Sequence, residues 1–236
     1  MTKTWLPLES NPDVLNEYLK SLGLTNPKVA FNDVFGLDAE LLAMVPRPIY
    51  AMILLYPLSD GMESGDAAAC LKQKSEIEQF MTTNKFFYSK QTISNACGTM
   101  AVLHAVLNNT DVVGHMLEGS PIATLLWSTK DKSPEENAKL IESDSLLDEA
   151  HALASASGVT DNQPLDADID LHFTCFVKIG DRCVELDGRK PHPLLHGHCV
   201  DEESFVKSCV DAIKEKMGRD PQSPRFNIIA LCESCE

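Results

Sequence analysis

Gln91-Thr-Ile-Ser-Asn95-Ala-Cys97-Gly98-Thr99 runs straight into Met100-Ala-Val-Leu-His104-Ala-Val-Leu107, a polar turn followed by good helix formers. The second half is apolar on nearly every face, the pattern of a buried helix. Asn95 is a candidate cap, which places Cys97 at or near the helix N-terminus. There the macrodipole and the free N–H groups favour thiolate over thiol. Gly98 leaves room for a substrate backbone to approach. Gln91, six residues upstream of Cys97, can aim an amide N–H at an oxyanion forming on an attacked carbonyl. A buried structural cysteine in a capped helix is the competing account, so the reading turns on whether a base stands elsewhere in the chain.

The base of a thiol nucleophile is a histidine held by a carboxylate. Leu171-His172-Phe-Thr-Cys-Phe-Val-Lys-Ile179 alternates like a strand, and Arg182-Cys-Val-Glu-Leu-Asp187 reads as its hairpin partner. Gly180-Asp181 between them fits a two-residue type II′ turn. That register sets His172 opposite Arg189 and Asp187 opposite Thr174. His172 and Asp187 are then diagonal neighbours on one face, ~7–8 Å apart at the backbone. Leu171, Phe173, Cys175, Val177, Ile179, Val184 and Leu186 form the opposite, apolar face. A solvent-exposed ion pair would also account for His172 and Asp187, without Cys97. The same register puts Cys175 and Cys183 on opposite faces, which excludes a cross-strand disulfide or a shared metal site.

Working outward, Ser10-Asn-Pro-Asp13 opens a helix whose apolar face is Val14, Leu15, Tyr18, Leu19 and Leu22 and which Gly23 stops. Ile49–Tyr56 reads as a buried strand between two prolines, and a second helix is predicted over Asp66–Met81. Ser133-Pro-Glu-Glu136 is a capping box opening a helix to about Ile141. Phe205, Val206, Cys209, Val210, Ile213 and Met217 recur at helical spacing, and Arg225–Leu231 is a final strand. No repeat and no Gly/Ser linker divides the chain, so one α/β (α+β) domain over residues 1–236 is expected. His151–Asp170 stands apart, rich in Ala, Ser, Gly, Asp, Asn and Pro. A loop of that length is commonly a lid or a binding loop.

With 35 acidic and 20 basic side chains among 236 residues, the chain carries a formal charge of −15. Nucleic-acid binding needs a basic stripe, which is lacking, so the expected partner is cationic or neutral. No apolar run approaches the ~20 residues of a membrane span. The N-terminus lacks a signal-peptide core, and a cytoplasmic address follows. Eight cysteines without repeated spacing are then one reactive thiol among small buried hydrophobes. His104 is expected to pack rather than react. Cys232-Glu-Ser-Cys235 with His196, His198 and Cys199 could assemble four zinc ligands, but the spacing match is incomplete. No metal and no cofactor is expected.

Gln91-Thr-Ile-Ser-Asn-Ala-Cys97-Gly-Thr, His172-Phe and Glu185-Leu-Asp187-Gly-Arg-Lys-Pro resemble the ubiquitin carboxyl-terminal hydrolase family, in its short single-domain members. Trp5-Leu-Pro-Leu-Glu9, Met44-Val-Pro-Arg-Pro48 and Arg225-Phe-Asn227 match it too, so the likeness runs from Trp5 to about Leu231. The resemblance implies a papain-like fold: a central antiparallel sheet flanked by helices, with a knotted backbone. It assigns Cys97 as nucleophile, Gln91 as oxyanion donor, His172 as general base and then acid, and Asp187 as its orienter. It implies a loop crossing over the active site at about residues 151–170, admitting only a thin chain end and small leaving groups. Ubiquitin contacts would be Pro7, Glu9, Asp13, Asp33 and Leu171. Pro224 and the tail Cys232–Glu236 depart from the family pattern.

The expected activity is cysteine-dependent deubiquitination: hydrolysis after ubiquitin's C-terminal glycine, by a monomer in the cytoplasm and nucleus, with NEDD8 as a second candidate partner. Two rivals remain open at this stage. One is a papain-like thiol protease or acyltransferase of other specificity. The other is a ubiquitin-binding protein that stabilises or stores its partner.

Overall fold

In a computed structural model describing residues 3–158 and 169–234, eight helices and eight strands are defined among the described residues. The order is α1 (Pro12–Ser21), β1 (Leu24–Pro27), β2 (Val29–Asp33), α2 (Ala39–Leu42), β3 (Ile49–Pro57), α3 (Asp60–Thr83) and α4 (Cys97–Leu107). Then come β4 (Gly114–Met116), α5 (Pro121–Ser128), α6 (Pro134–Ser143), α7 (Ser145–Ala156), β5 (Leu171–Ile179), β6 (Arg182–Leu186), β7 (Leu194–His198), α8 (Glu202–Arg219) and β8 (Asn227–Glu233). Six strands form one sheet in the order β2-β8-β3-β5-β6-β7, every neighbouring pair antiparallel. β1 and β4 pair separately. The sheet is flanked by helices, as expected.

β3 and β5 are central because both of their faces are buried. Ile53, Phe173, Cys175 and Val177 pack with α1, α4 and α7 into one core. Met52, Leu54, Phe176 and Cys183 pack with Phe205, Cys209 and Ile213 of α8 into a second, on the other side. Cys175 and Cys183 therefore do lie on opposite faces. The β5–β6 hairpin has the expected register, with Cys175 opposite Leu186 and Ile179 opposite Arg182. Gly180 has φ +57°, the conformation that the first corner of a type II′ turn requires and glycine tolerates. Pairing stops at Leu186, however, so Arg189 does not face His172 in the ladder. The Gly188 carbonyl accepts from Gln91 N–H at 3.0 Å and draws the chain off the sheet. A Cβ on Gly188 would come within 2.8 Å of that nitrogen, so only glycine allows this approach.

Three expectations need correction. α3 starts at Asp60, capped by Ser59, because its first turn is polar and gives no apolar periodicity. His151–Ala156, assigned to a loop, form the end of α7, which is capped by Asp144 Oδ1 accepting from Leu147 N–H at 3.0 Å. Ala154 and Ser155 are buried and Ala152 and Ala156 exposed, the two faces of a helix in which alanine is the best former. Residues 159–168, the remainder of the proposed crossover loop, lie outside the described residues. The zinc alternative also fails as drawn. Cys232 is on β8 and His196 on β7, with β3, β5 and β6 between them, and Cys235 lies outside the described residues.

His151 joins three segments. Trp5 stacks on its ring at 4.1 Å, Thr99 Oγ1 lies 2.8 Å from Nδ1, and Nε2 donates to the Leu6 carbonyl at 2.8 Å. Burial lowers its pKa to about 4, as it does that of His104, which accepts from Ser89 N–H and packs on Tyr88. A histidine whose folded pKa is depressed binds fewer protons than the unfolded chain between pH 4 and 6.5. Its stabilisation is therefore complete above 6.5 and is lost as pH falls toward 4, by about 1.4 kcal/mol per pH unit for each ring. Thermal melts from pH 7.5 to 4.5 are expected to steepen through this window. His151→Gln, which keeps one donor and one acceptor, should melt lower at pH 7.5 but lose less on acidification; an unchanged slope would refute the assignment.

Candidate active site

The turn 91–96 delivers the chain to α4 by a left-handed residue. Asn95 has φ +61°, a region asparagine enters more readily than other side chains. It does not cap the helix: Ala96 occupies the cap position, and the Asn95 amide instead donates to the Trp5 carbonyl at 3.2 Å. Cys97 is consequently the first residue of α4, with its N–H among those that lack intrahelical partners. Gly98 is buried, and the room it makes is taken by Leu8 and Phe173, 3.0–3.4 Å from where a Cβ would be. It serves packing of α4 on β5 rather than entry of a substrate backbone.

His172 lies on β5 beside the Cys97 thiol, close enough that each shifts the other's pKa. On the far side of the ring, Nε2 is 2.8 Å from Asp187 Oδ1. The pair is 3–4% exposed, so the solvent-exposed ion pair is excluded. Tyr56 of β3 packs edge-on against His172, its hydroxyl donating to Asp187 Oδ2 at 3.4 Å. The Asp187 carboxylate also accepts from Arg189 N–H at Oδ1, 2.9 Å. A cavity of about 590 Å³ reaches His172 and Asp187 past Tyr56, Leu58 and Arg189.

The electrostatics follow from these contacts. Burial alone would push the Cys97 thiol up, but the His172 hydrogen bond and charge outweigh it, and the pKa ends below the usual thiol value. Burial alone would push His172 down. The Asp187 charge and hydrogen bond, together with Cys97, instead raise it to about 9. Asp187 is held well below the usual carboxylate range: burial opposes this, and the charges of His172 and Lys190 prevail. Among the other described cysteines, all buried, burial raises Cys70, Cys175, Cys199 and Cys209. One thiol is thus prepared for nucleophilic attack.

Gln91 is joined to the same cluster through its backbone bond to Gly188. One amide N–H is already spent on the Ile93 carbonyl at 3.1 Å, which leaves the second for a ligand and fixes the plane of the amide. Of the five residues assigned to a protein partner, Pro7 and Glu9 precede α1, Asp13 is in its first turn, Asp33 ends β2 and Leu171 begins β5. Asp13 is exposed; Pro7, Glu9, Asp33 and Leu171 are half-buried. Burial and the neighbouring charge of Asp13 both raise the pKa of Asp33, so these carboxylates are close enough to repel. Glu9 accepts from the Asn11 amide at 3.0 Å and abuts Gly158, where the chain enters residues 159–168. Sequence reading missed Tyr56 and Lys190 as neighbours of Asp187; Lys190 stood in the quoted motif without a role.

The family model for "Ubiquitin carboxyl-terminal hydrolase, family 1" matches residues 5–218. Ubiquitin carboxyl-terminal hydrolase 3 of Arabidopsis thaliana is 40% identical over 230 residues, covering 98% of this chain and 94% of that one. Ubiquitin carboxyl-terminal hydrolase isozyme L1 of Homo sapiens is 35% identical over 228 residues, covering 97% and 98%. Among solved structures, the Trichinella spiralis UCH37 catalytic domain bound to ubiquitin vinyl methyl ester superposes with a TM-score of 0.72 at 21% identity, covering 98% of this chain and 96% of that one. The thiol, imidazole and carboxylate aligned at the start of α4 thus sit in a chain that belongs to the ubiquitin carboxyl-terminal hydrolase family, a family of cysteine peptidases.

Proposed function

We propose that this protein hydrolyses the bond after ubiquitin's C-terminal glycine, releasing small adducts or short extensions. The observation that carries the chemistry is the line Cys97–His172–Asp187, in which His172 is hydrogen-bonded to Asp187 and lies beside a thiol of lowered pKa at the first turn of α4. Cys97 attacks the glycine carbonyl, and the oxyanion is held by the Gln91 amide and the Cys97 N–H. His172 gives its proton to the departing amine, leaving a thioester. His172 then takes a proton from water, the hydroxide adds to the thioester carbonyl, and ubiquitin leaves with the thiolate regenerated. The mutually repelling Asp13 and Asp33 favour a basic partner, and Pro7 and Leu171 supply an apolar margin. A covering role for residues 159–168 belongs to the same proposal, as does NEDD8 as a second substrate.

The deciding experiment is intact mass after mixing with ubiquitin carrying a C-terminal electrophile, then peptide mapping. One adduct on Cys97, lost in His172→Ala, is expected; no adduct, or adducts spread over several cysteines, would overturn the reading. The same reagent built on NEDD8 tests that substrate. Gln91→Ala is expected to lower kcat on a fluorogenic ubiquitin amide by about 10²-fold or more with little change in KM. An unchanged kcat would mean that the oxyanion donor is another group.

A further inference from the structure

Asp66 of α3, Glu185 of β6 and Asp187 bring carboxylate oxygens within 4.8 Å of one another, all buried. Three such groups could hold a metal ion. Here the chain supplies the cation itself. The Lys190 ammonium, 6% exposed, lies 3.0 Å from Asp66 Oδ2 and 3.2 Å from Asp187 Oδ2, and it bonds directly to Glu185 Oε1. Its backbone is equally fixed. The Lys190 N–H donates to the Asp187 carbonyl at 3.1 Å, and the Tyr88 hydroxyl bridges the Asp187 and Lys190 carbonyls at 2.9 and 3.0 Å.

We propose that Lys190 is a positioning residue: its ammonium, pinned between α3 and β6, occupies Oδ2 of Asp187 so that Oδ1 is presented to His172, and its charge offsets the carboxylates behind that pair. The division of Asp187 is visible in its contacts. Oδ1 takes His172 and the Arg189 N–H; Oδ2 takes Lys190 and Tyr56. The inference rests on the reading of Cys97, His172 and Asp187 as the reacting set.

The groups facing that set come from every surrounding element. Cys97 and His104 belong to α4, Tyr56 to β3, and Tyr88 to the segment before α4. Asp66 and Cys70 belong to α3, Glu185 to β6, and Lys216 and Arg219 to α8. Lys216 and Arg219 each lie 2.7 Å from Asp66, Lys216 lies 3.0 Å from Glu185, and His196 of β7 closes on the other oxygen of Glu185 at 3.0 Å. Removing the Lys190 charge makes the field at His172 and Cys97 more negative, so both hold their protons to higher pH. Removing the Asp66 charge acts in the opposite sense. A lysine that merely braced the fold would give no such pair of opposite shifts.

The test is the pH dependence of Cys97 alkylation by iodoacetamide, read by peptide mass, in the full-length protein. Lys190→Met is expected to move the midpoint up by ~1 pH unit and Asp66→Asn to move it down by ~0.5, while Lys190→Arg stays near wild type. Midpoints that do not move in Lys190→Met and Asp66→Asn, or that move the same way in both, would overturn the proposal. If circular dichroism shows Lys190→Met unfolded, Asp66→Asn decides alone, and absence of its downward shift is then the refutation. Alkylation needs no ubiquitin. Opposite shifts in a protein that never turns over ubiquitin would therefore retain the role of Lys190 and sink the hydrolase reading.

Discussion

Cys97→Ala is expected to abolish turnover of a fluorogenic ubiquitin C-terminal amide, by ~10⁴-fold or more, while ubiquitin affinity stays within a few-fold of wild type. The six other described thiols could not substitute. Cys175 and Cys209 are fully buried in the two cores, and burial raises each well above the ordinary thiol value. Cys70, Cys183, Cys199 and Cys232 are buried too. Among the described cysteines, only Cys97 combines partial exposure, a helix N-terminus and an imidazole partner. Binding should survive because the groups proposed to meet ubiquitin, Asp13 and Asp33 foremost, are not part of the reacting line. Steady-state kinetics and a calorimetric titration on the same preparation check the two halves separately. Turnover retained in Cys97→Ala would assign the chemistry elsewhere; turnover lost together with affinity would make Cys97 part of the binding surface instead.

That site was legible because its parts are short-range patterns. A turn feeding an apolar helix places Cys97, and a two-residue Gly180-Asp181 turn fixes a hairpin register that carries His172 and Asp187 to one face. What the pattern did not give was the surroundings of the pair. Alternation along β5 and β6 marks one apolar face and one mixed face, and a mixed face reads as solvated. α8 and α3 cover it, bringing Phe205, Lys216 and Asp66 from distant sequence, and the "exposed" His172–Asp187 pair is buried. Lys190 was hidden for the same reason: its three carboxylates come from α3, β6 and the turn it closes. Asn95 misled locally, since its readiness to cap and its tolerance of positive φ suit the same position. The helical run through His151 was missed because alanine-rich sequence carries little apolar periodicity.

Asp187→Asn is the sharper probe of how that line works, because it keeps the shape and removes the charge. In the wild type the reactive ion pair exists between the lowered pKa of Cys97 and the value of about 9 reached by His172. Below this window the thiolate is protonated; above it the imidazolium has lost the proton it must give the leaving amine. Without the carboxylate charge, His172 titrates lower, the imidazolium partner of the thiolate is lost at neutral pH, and the window closes from its alkaline side. A loss of ~10²–10⁴-fold in kcat/KM at pH 7.5 is expected, with the alkaline limb displaced downward. Stability should report the same coupling with a determined sign. A histidine whose folded pKa is raised from 6.5 to about 9 contributes stability that is complete below 6.5 and is lost as pH rises through 9. That amounts to roughly 3 kcal/mol for an isolated group, and it counts the His172–Asp187 interaction once, since the depression of Asp187 is the same attraction seen from its partner. The lowered Cys97 thiol contributes the opposite slope over the same interval, so the sign is read from the difference between proteins: Asp187→Asn should lose most melting temperature relative to wild type at pH 6.5 and progressively less toward pH 9. A variant that kept the wild-type rate profile and the wild-type slope would show that Asp187 neither orients nor charges His172.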